Sequence, residues 1–181
     1  MSSTVPPEAT TLIALLNSRA HAIHAEKLDS PEHATEVLRR LGHAGIGVSA
    51  AQLAELRALR ADLMAVLTAE HDGEDPAPFW AAFTARTSGV TYQQQYAAPA
   101  RVSLEQVTGD PLVGRVARLT AELIASGQWT RMRLCANDVC SSVFYDTSRS
   151  RTQRWHSYEI CGNKHNVARY RSRARLRAET D

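Results

Sequence analysis

All three cysteines of this chain, Cys135, Cys140 and Cys161, fall in one short stretch near its C-terminal end. A histidine, His156, precedes Cys161 by the same interval that separates Cys135 from Cys140, so the pattern is C-x4-C, a gap, then H-x4-C. Thiolate sulfur and imidazole nitrogen are the donors that zinc takes. Four of them arriving as two close pairs is how a small module without a large core folds around a metal. His165 competes with His156 for the fourth position. An odd cysteine count argues against a disulfide framework and for thiols kept reduced, which places the protein in a cytoplasm.

The same stretch is cationic. Residues 131–178 carry eleven basic side chains (Arg131, Arg133, Arg149, Arg151, Arg154, Lys164, Arg169, Arg171, Arg173, Arg175 and Arg177) against three acids (Asp138, Asp146 and Glu159), in a chain of net charge +2. The remainder of the chain is therefore acidic. A split of this size points to a polyanionic partner for the C-terminal part. Lys27 and Lys164 are the only lysines, so nearly all of the positive charge is guanidinium, whose planar fork suits phosphate and guanine edges. Arg149, Arg151 and Arg154 are expected on duplex phosphates, with Lys164, Arg169, Arg171, Arg173, Arg175 and Arg177 extending the contact and reaching base edges. From Asn163 to Ala178 the spacing predicts a helix with arginine stripes, which needs phosphates to relieve its own repulsion.

The elements that must position these groups are mostly helical. Residues 7–27 read as one helix, with Leu12, Leu15, Leu16, Ala20 and Ile23 on its apolar face. That helix places His21 and His24 three apart, a spacing open to a second metal or haem site and also to ordinary core or surface histidines. Ser30-Pro31-Glu32 starts a second helix that stops at Gly42, and Ser49 with Gln52 forms a capping box for a third that ends at Gly73. The face of the third helix is Leu53, Leu56, Leu59 or Arg60, Leu63, Val66 and Leu67. Asp75-Pro76 opens a short helix whose Phe79, Trp80 and Phe83 serve as core or line a pocket. Alternation at Val90, Tyr92, Gln94 and Tyr96, and at Val102, Leu104 and Gln106, predicts a β-hairpin around Ala97-Ala98-Pro99-Ala100. Asp110-Pro111 opens a further helix that ends before Gly127.

Residues 1–128 hold enough apolar faces for a core, and residues 129–178 do not. Ordering a residue costs about 1–2 kcal/mol of backbone entropy, and a structural zinc contributes about 10–16 kcal/mol. The metal is therefore expected to hold the second part. A strand through Arg131–Leu134 leads into Cys135, a knuckle over 136–139 into Cys140, and a strand at 143–145 follows. Thr147 or Ser148 is expected to cap a short basic helix through Trp155, and Gly162 to supply a positive φ after Cys161.

CANDVC at 135–140, FYDTSRSRTQRW at 144–155 and CGNK at 161–164 resemble the CGNR zinc-finger family. The resemblance implies a DNA-binding transcriptional regulator. Two positions depart from it: Lys164 replaces the arginine of the family name, and His156 replaces a cysteine, which leaves a valid set of three thiolates and one imidazole. The histidine should make metal binding more sensitive to acid, because a proton competes for the imidazole. Family members carry an N-terminal ABATE domain proposed to sense a small molecule or stress signal. The run Leu12-Ile13-Ala14-Leu15-Leu16-Asn17-Ser18 and the order of helices before the finger resemble it.

The expected fold class is α+β, mostly α. It comprises an ABATE-like helical domain with a small hairpin at 1–128, then a zinc-stabilised ββα-type module with a basic helix at 129–178. Zn2+ and double-stranded DNA are the expected cofactor and partner, with a small-molecule effector at the N-terminal domain and a homodimer left open. A zinc-held module that binds protein or RNA is the alternative. No phosphate loop, H-E-x-x-H pattern or nucleophile–base set is present, and four protein ligands close a zinc site, so no catalysis is expected. No run of eighteen apolar residues and no signal-type N-terminus occur, so neither membrane insertion nor secretion is expected.

Overall fold

The structure is a computed structural model that describes residues 4–22, 24–43 and 47–163. The predicted basic helix at 163–178, with Lys164, His165, Arg169, Arg171, Arg173, Arg175 and Arg177, lies outside the described residues apart from Asn163. Among the described residues five helices, α1 (Pro7–Leu16), α2 (Pro31–Arg40), α3 (Ala50–Asp72), α4 (Ala77–Thr87) and α5 (Pro111–Ala125), accompany a hairpin of β1 (Thr91–Ala97) and β2 (Arg101–Thr108). A single 3-10 turn (Trp129–Arg131) leads into β3 (Met132–Leu134), which pairs antiparallel with β4 (Val143–Tyr145), and a wide helical turn (Tyr158–Gly162) follows. The fold is α+β and mostly α. None of the described helices is long and apolar enough to cross a membrane.

The helix starts follow from their capping residues. Ser30 accepts from the His33 amide, Ser49 and Gln52 form a reciprocal capping box, and Asp110 accepts from the amides of Leu112 and Val113. Asp75 accepts from the Ala77 amide at the start of α4. Helix α3 ends on Gly73, whose φ of 76° is left-handed.

Helix α1 stops at Leu16 rather than running to 27. Its continuation is taken by contacts with distant segments. The Asn17 side chain donates to the Val143 carbonyl at 2.8 Å and accepts from the Val143 amide at 2.8 Å, so one amide side chain occupies the free edge of β4 as a neighbouring strand would. Ser18 is buried and accepts from Arg60, whose guanidinium also pairs with both oxygens of Glu26 at 2.7 Å. Arg57 donates to the Leu28 carbonyl. Burial works to raise the Glu26 pKa, and its hydrogen bonds with Arg60 and Leu28 outweigh that and hold it below the usual range. Helix propensity over 17–27 thus yields to a chain of polar contacts, and His21 and His24 face each other across an isolated backbone bridge instead of sharing a helix face.

The helices and the β3–β4 ribbon share one apolar core. Leu12, Leu15 and Leu16 of α1 meet Leu53, Leu56, Leu59 and Leu63 of α3 and Leu112, Val116, Leu119 and Leu123 of α5. Trp129, Met132, Val143 and Tyr145 belong to the same cluster, with α1 against β4 and α3 against β3. Burial therefore shares with any metal the work of holding the β3–β4 ribbon, which composition alone had left to the metal. Of the α4 aromatics, Phe83 joins this core, Trp80 lies 5.1 Å from the Trp129 ring, and Phe79 is exposed.

The predicted β1–β2 hairpin is present, and its register sets Tyr92 opposite Gln106, Gln94 opposite Leu104 and Tyr96 opposite Val102. Its base is anchored. The Tyr92 hydroxyl donates to the Gly114 carbonyl at 2.6 Å, and Gln106 lies so close over Gly114 that a Cβ there would meet its amide oxygen at 2.0 Å.

Replacing Asn17 by alanine strands both polar groups of Val143 at the inner edge of β4. The expected cost is about 1–3 kcal/mol, read from urea denaturation beside wild type.

Candidate metal centre

The β3–β4 ribbon delivers the first two ligands. Cys135 follows β3 directly and its amide donates to Ser142, so the ribbon's ladder continues one step into the knuckle. Asn137 builds the turn: its carbonyl accepts from the amides of Cys140 (2.7 Å) and Ser141 (3.0 Å), and its side chain accepts from the Val139 amide (3.2 Å). Ser141 takes a φ of 49°, which swings the chain from Cys140 into β4. The knuckle read from the sequence is thus present, with asparagine as its hub.

The segment between the ligand pairs is not the basic helix that the sequence suggested. Residues 148–155 form an irregular loop wound on Asp146, which is fully buried. The Asp146 carboxylate accepts from the Ser148 amide (2.8 Å) and hydroxyl (2.5 Å) and from the Gln153 amide (3.0 Å). Burial works to raise its pKa; the bonds from Ser148 and Gln153 and the charge of Arg133 outweigh that and hold it below the usual carboxylate range. The Arg131 guanidinium ties down the same loop through the carbonyls of Asp146 and Ser148. A carboxylate that collects backbone amides this way removes the donors a helix would need. The Ala136 amide donates to the Arg154 carbonyl at 2.8 Å, so the loop ends beside the knuckle and places His156 there.

The last ligand comes from the turn Tyr158–Gly162. Ser157 opens it by accepting from the Ile160 amide, and the Cys161 amide returns to the Ser157 carbonyl. Gly162 does not adopt the positive φ expected of it. It is required for space: a Cβ would meet the Tyr158 ring at 2.7 Å.

The four ligand atoms of Cys135, Cys140, His156 and Cys161 all lie within 4.8 Å of one another. His156 Nδ1 is 3.3 Å from Cys140 Sγ and 3.7 Å from Cys161 Sγ. Metal–sulfur bonds of about 2.3 Å and metal–nitrogen bonds of about 2.0–2.1 Å give tetrahedral edges of about 3.6 Å, so the donor spacing fits such an ion. Among the described residues this is the one group of three or more candidate ligands, and His21 with His24 does not extend to a second. The cysteines are buried, and Trp155 packs over them.

The electrostatics of the thiols suit a cation. At Cys140 burial opposes ionisation, but hydrogen bonds with Ser142 and the other thiols draw its pKa down. Cys161 is pushed up to about 11 by burial and by the neighbouring Cys135 and Cys140. One thiolate is easy here and the next is not, until a positive ion sits between them. His156 is held below its usual value by burial and by nearby His24, which favours the neutral ring that binds metal.

The sequence did not reveal the second layer of contacts. His21 Nε2 lies 3.2 Å from the Ser142 hydroxyl, which lies 3.1 Å from Cys140 Sγ, while Arg19 donates to the Ser141 carbonyl at 2.6 Å. The residues after α1 therefore hold the knuckle from outside. No spacing rule links residues 17–21 to 141–143; only the packing of α1 on β4 does. On the surface, Arg149, Arg151 and Arg154 are exposed, and so is Arg133, whose guanidinium donates to the Arg151 carbonyl. Arg154 sits 5.3 Å over the Trp155 ring.

Elemental analysis should find about one metal equivalent in the wild type and none in Cys135→Ser. His156→Ala should also lose it; full retention there would move the fourth ligand to His165. Asp146→Asn should lower stability by about 1–3 kcal/mol in chemical denaturation, since an amide cannot accept on both sides as the carboxylate does.

Comparison with known proteins agrees with this geometry where it applies. No curated protein matches the chain. Residues 131–174, about a quarter of its length, match the family model of the CGNR zinc finger and take in all four converging side chains.

Proposed function

We propose that this protein is a DNA-binding transcriptional regulator whose finger is held by a structural Zn2+ on Cys135, Cys140, His156 and Cys161. The observation that carries the reading is the placement of exposed arginines on a loop locked to the ligand cluster. Arg149, Arg151 and Arg154 project from the segment that Asp146 and the Ala136 amide fasten between the ligand pairs, and Arg133 lies beside them on β3. Arg131 is excluded from this set, because its guanidinium is spent on the Asp146 and Ser148 carbonyls. Guanidinium groups on a rigid loop suit phosphate oxygens and base edges. The match to the CGNR zinc finger supports the same reading. Lys164, Arg169, Arg171, Arg173, Arg175 and Arg177 continue the cationic sequence beyond the described residues.

Zinc is the ion that three thiolates and one imidazole select in a tetrahedral set. With four protein ligands no position is left for substrate, so the centre is structural and the protein is not an enzyme in this reading. Residues 1–128 would be the regulatory part, of ABATE type, taking a small-molecule or stress signal in a reducing cytoplasm. The contacts of Asn17, Arg19 and His21 with β4 and the knuckle give such a signal a physical route to the finger.

A second reading has its own observation. Val139 at the knuckle tip and Tyr158 and Ile160 on the last turn are large, apolar and exposed. Such residues suit a zinc-held module that recruits another protein or RNA.

Fluorescence anisotropy with labelled duplex DNA and RNA at two salt concentrations separates the readings. The DNA reading expects steep salt dependence. Arg149→Ala, Arg151→Ala and Arg154→Ala combined should lower the log–log salt slope by about 2–3. Equal binding of RNA and DNA, or loss of binding in Val139→Ser with the arginines intact, would favour the second reading.

A further inference from the structure

Arg19 is a cation whose surroundings leave its charge unspent. It lies half-buried in the segment after α1 and donates through Nη2 to the Ser141 carbonyl at 2.6 Å. Its other terminal nitrogen, Nη1, is buried and finds no acceptor among the described residues. Burial and the nearby Arg60 both pull its pKa below the usual arginine value, and the group that works the other way is Cys140. Arg60 has its own carboxylate, Glu26, at 2.7 Å. No carboxylate among the described residues offsets Arg19 in the same way. A buried guanidinium without an anion is costly, because it loses water and gains nothing in return.

The metal centre has the opposite imbalance. Three thiolates and a neutral imidazole around a divalent ion leave one net negative charge, enclosed where Cys135, Cys140 and Cys161 pack under Trp155. Ser141, whose carbonyl Arg19 holds, follows Cys140 directly, so the cation stands beside this ligand. The Cys140 sulfur already has the Ser142 hydroxyl at 3.1 Å, and Arg19 adds a full positive charge to that neutral contact.

We infer that Arg19 is the outer charge partner of the metal centre, offsetting the Cys140 thiolate from outside the ligand set and so raising the finger's affinity for its ion. The inference rests on the metal-binding reading above and gives a residue of the helical part a share in it. Arg19 is a positioning residue and not a ligand. A brace for the Ser141 carbonyl needs only a donor there, whereas a charge partner needs the cation. The two roles part when the charge is removed and a donor is kept.

Competition between the full chain and a chromophoric chelator for Zn2+ reads the affinity. The sulfur-to-metal charge-transfer band of the Co2+-loaded chain reads the electron density on the thiolates. Arg19→Gln keeps an amide donor and removes the charge. It should weaken Zn2+ binding about 10–100-fold and move the cobalt band to longer wavelength, since a thiolate without its cation gives up electron density more easily. Arg19→Lys should bind closer to wild type than to Arg19→Gln and leave the band in place. Asn17→Ala loosens the same segment without touching its charge and should also leave the band where it is. Should Arg19→Gln fail to fold, as judged by helical circular dichroism, Arg19→Lys decides: affinity and band near wild type support the inference, and a loss of the size expected of Arg19→Gln overturns it. Weaker binding with an unmoved band in Arg19→Gln makes Arg19 a brace and overturns the inference. Wild-type affinity in Arg19→Gln overturns it and leaves the metal centre standing. A wild type that takes up no Zn2+ overturns the metal centre and the inference with it.

Discussion

Three thiols and an imidazole lie within 4.8 Å of one another, the donor set and spacing that one cation would take. The cluster is buried, and burial with the neighbouring Cys135 and Cys140 pushes the Cys161 thiol up, a shift that a bound cation would reverse. That one constraint organises the C-terminal part of the fold. It explains why a tight asparagine turn is needed between Cys135 and Cys140. The intervening loop is anchored at Asp146, and the glycine after Cys161 answers to the Tyr158 ring, which crowds any side chain there.

The centre is not a self-contained appendage. Its ribbon contributes Met132, Val143 and Tyr145 to the core that the helices form, and the Asn17 amide pairs with the inner edge of β4. Beyond Asn17, Arg19 and His21 reach the backbone and hydroxyl groups that flank Cys140. Residues 17–21 thus bond to Ser141, Ser142 and Val143, beside the knuckle's own backbone bonds.

The arginines divide by role in the same manner. Arg57 and Arg60 lock the segment after α1 to α3, and Arg131 locks the loop after β4. Arg133, Arg149, Arg151 and Arg154 keep their charge at the surface. Composition counts these residues alike. What separates them is how far the folded core buries each side chain, since Arg133 stays exposed although it too donates to a backbone carbonyl.

Local signals were legible in the sequence. Serine, aspartate and proline placed four helix starts, alternation placed the hairpin, and the paired spacing of three cysteines and a histidine marked the residues that converge. Each of these depends on neighbours a few positions apart, where chain geometry alone decides. The end of α1, the loop wound on Asp146 and the reason for Gly162 were decided only in three dimensions. Helical periodicity continued past Leu16, and basic residues followed a good cap at Ser148, yet Val143, Arg60 and the buried carboxylate offered better partners from far along the chain. A hydrogen bond to a distant group outweighs a local propensity of a few tenths of a kcal/mol, and that distance is what a linear pattern does not contain.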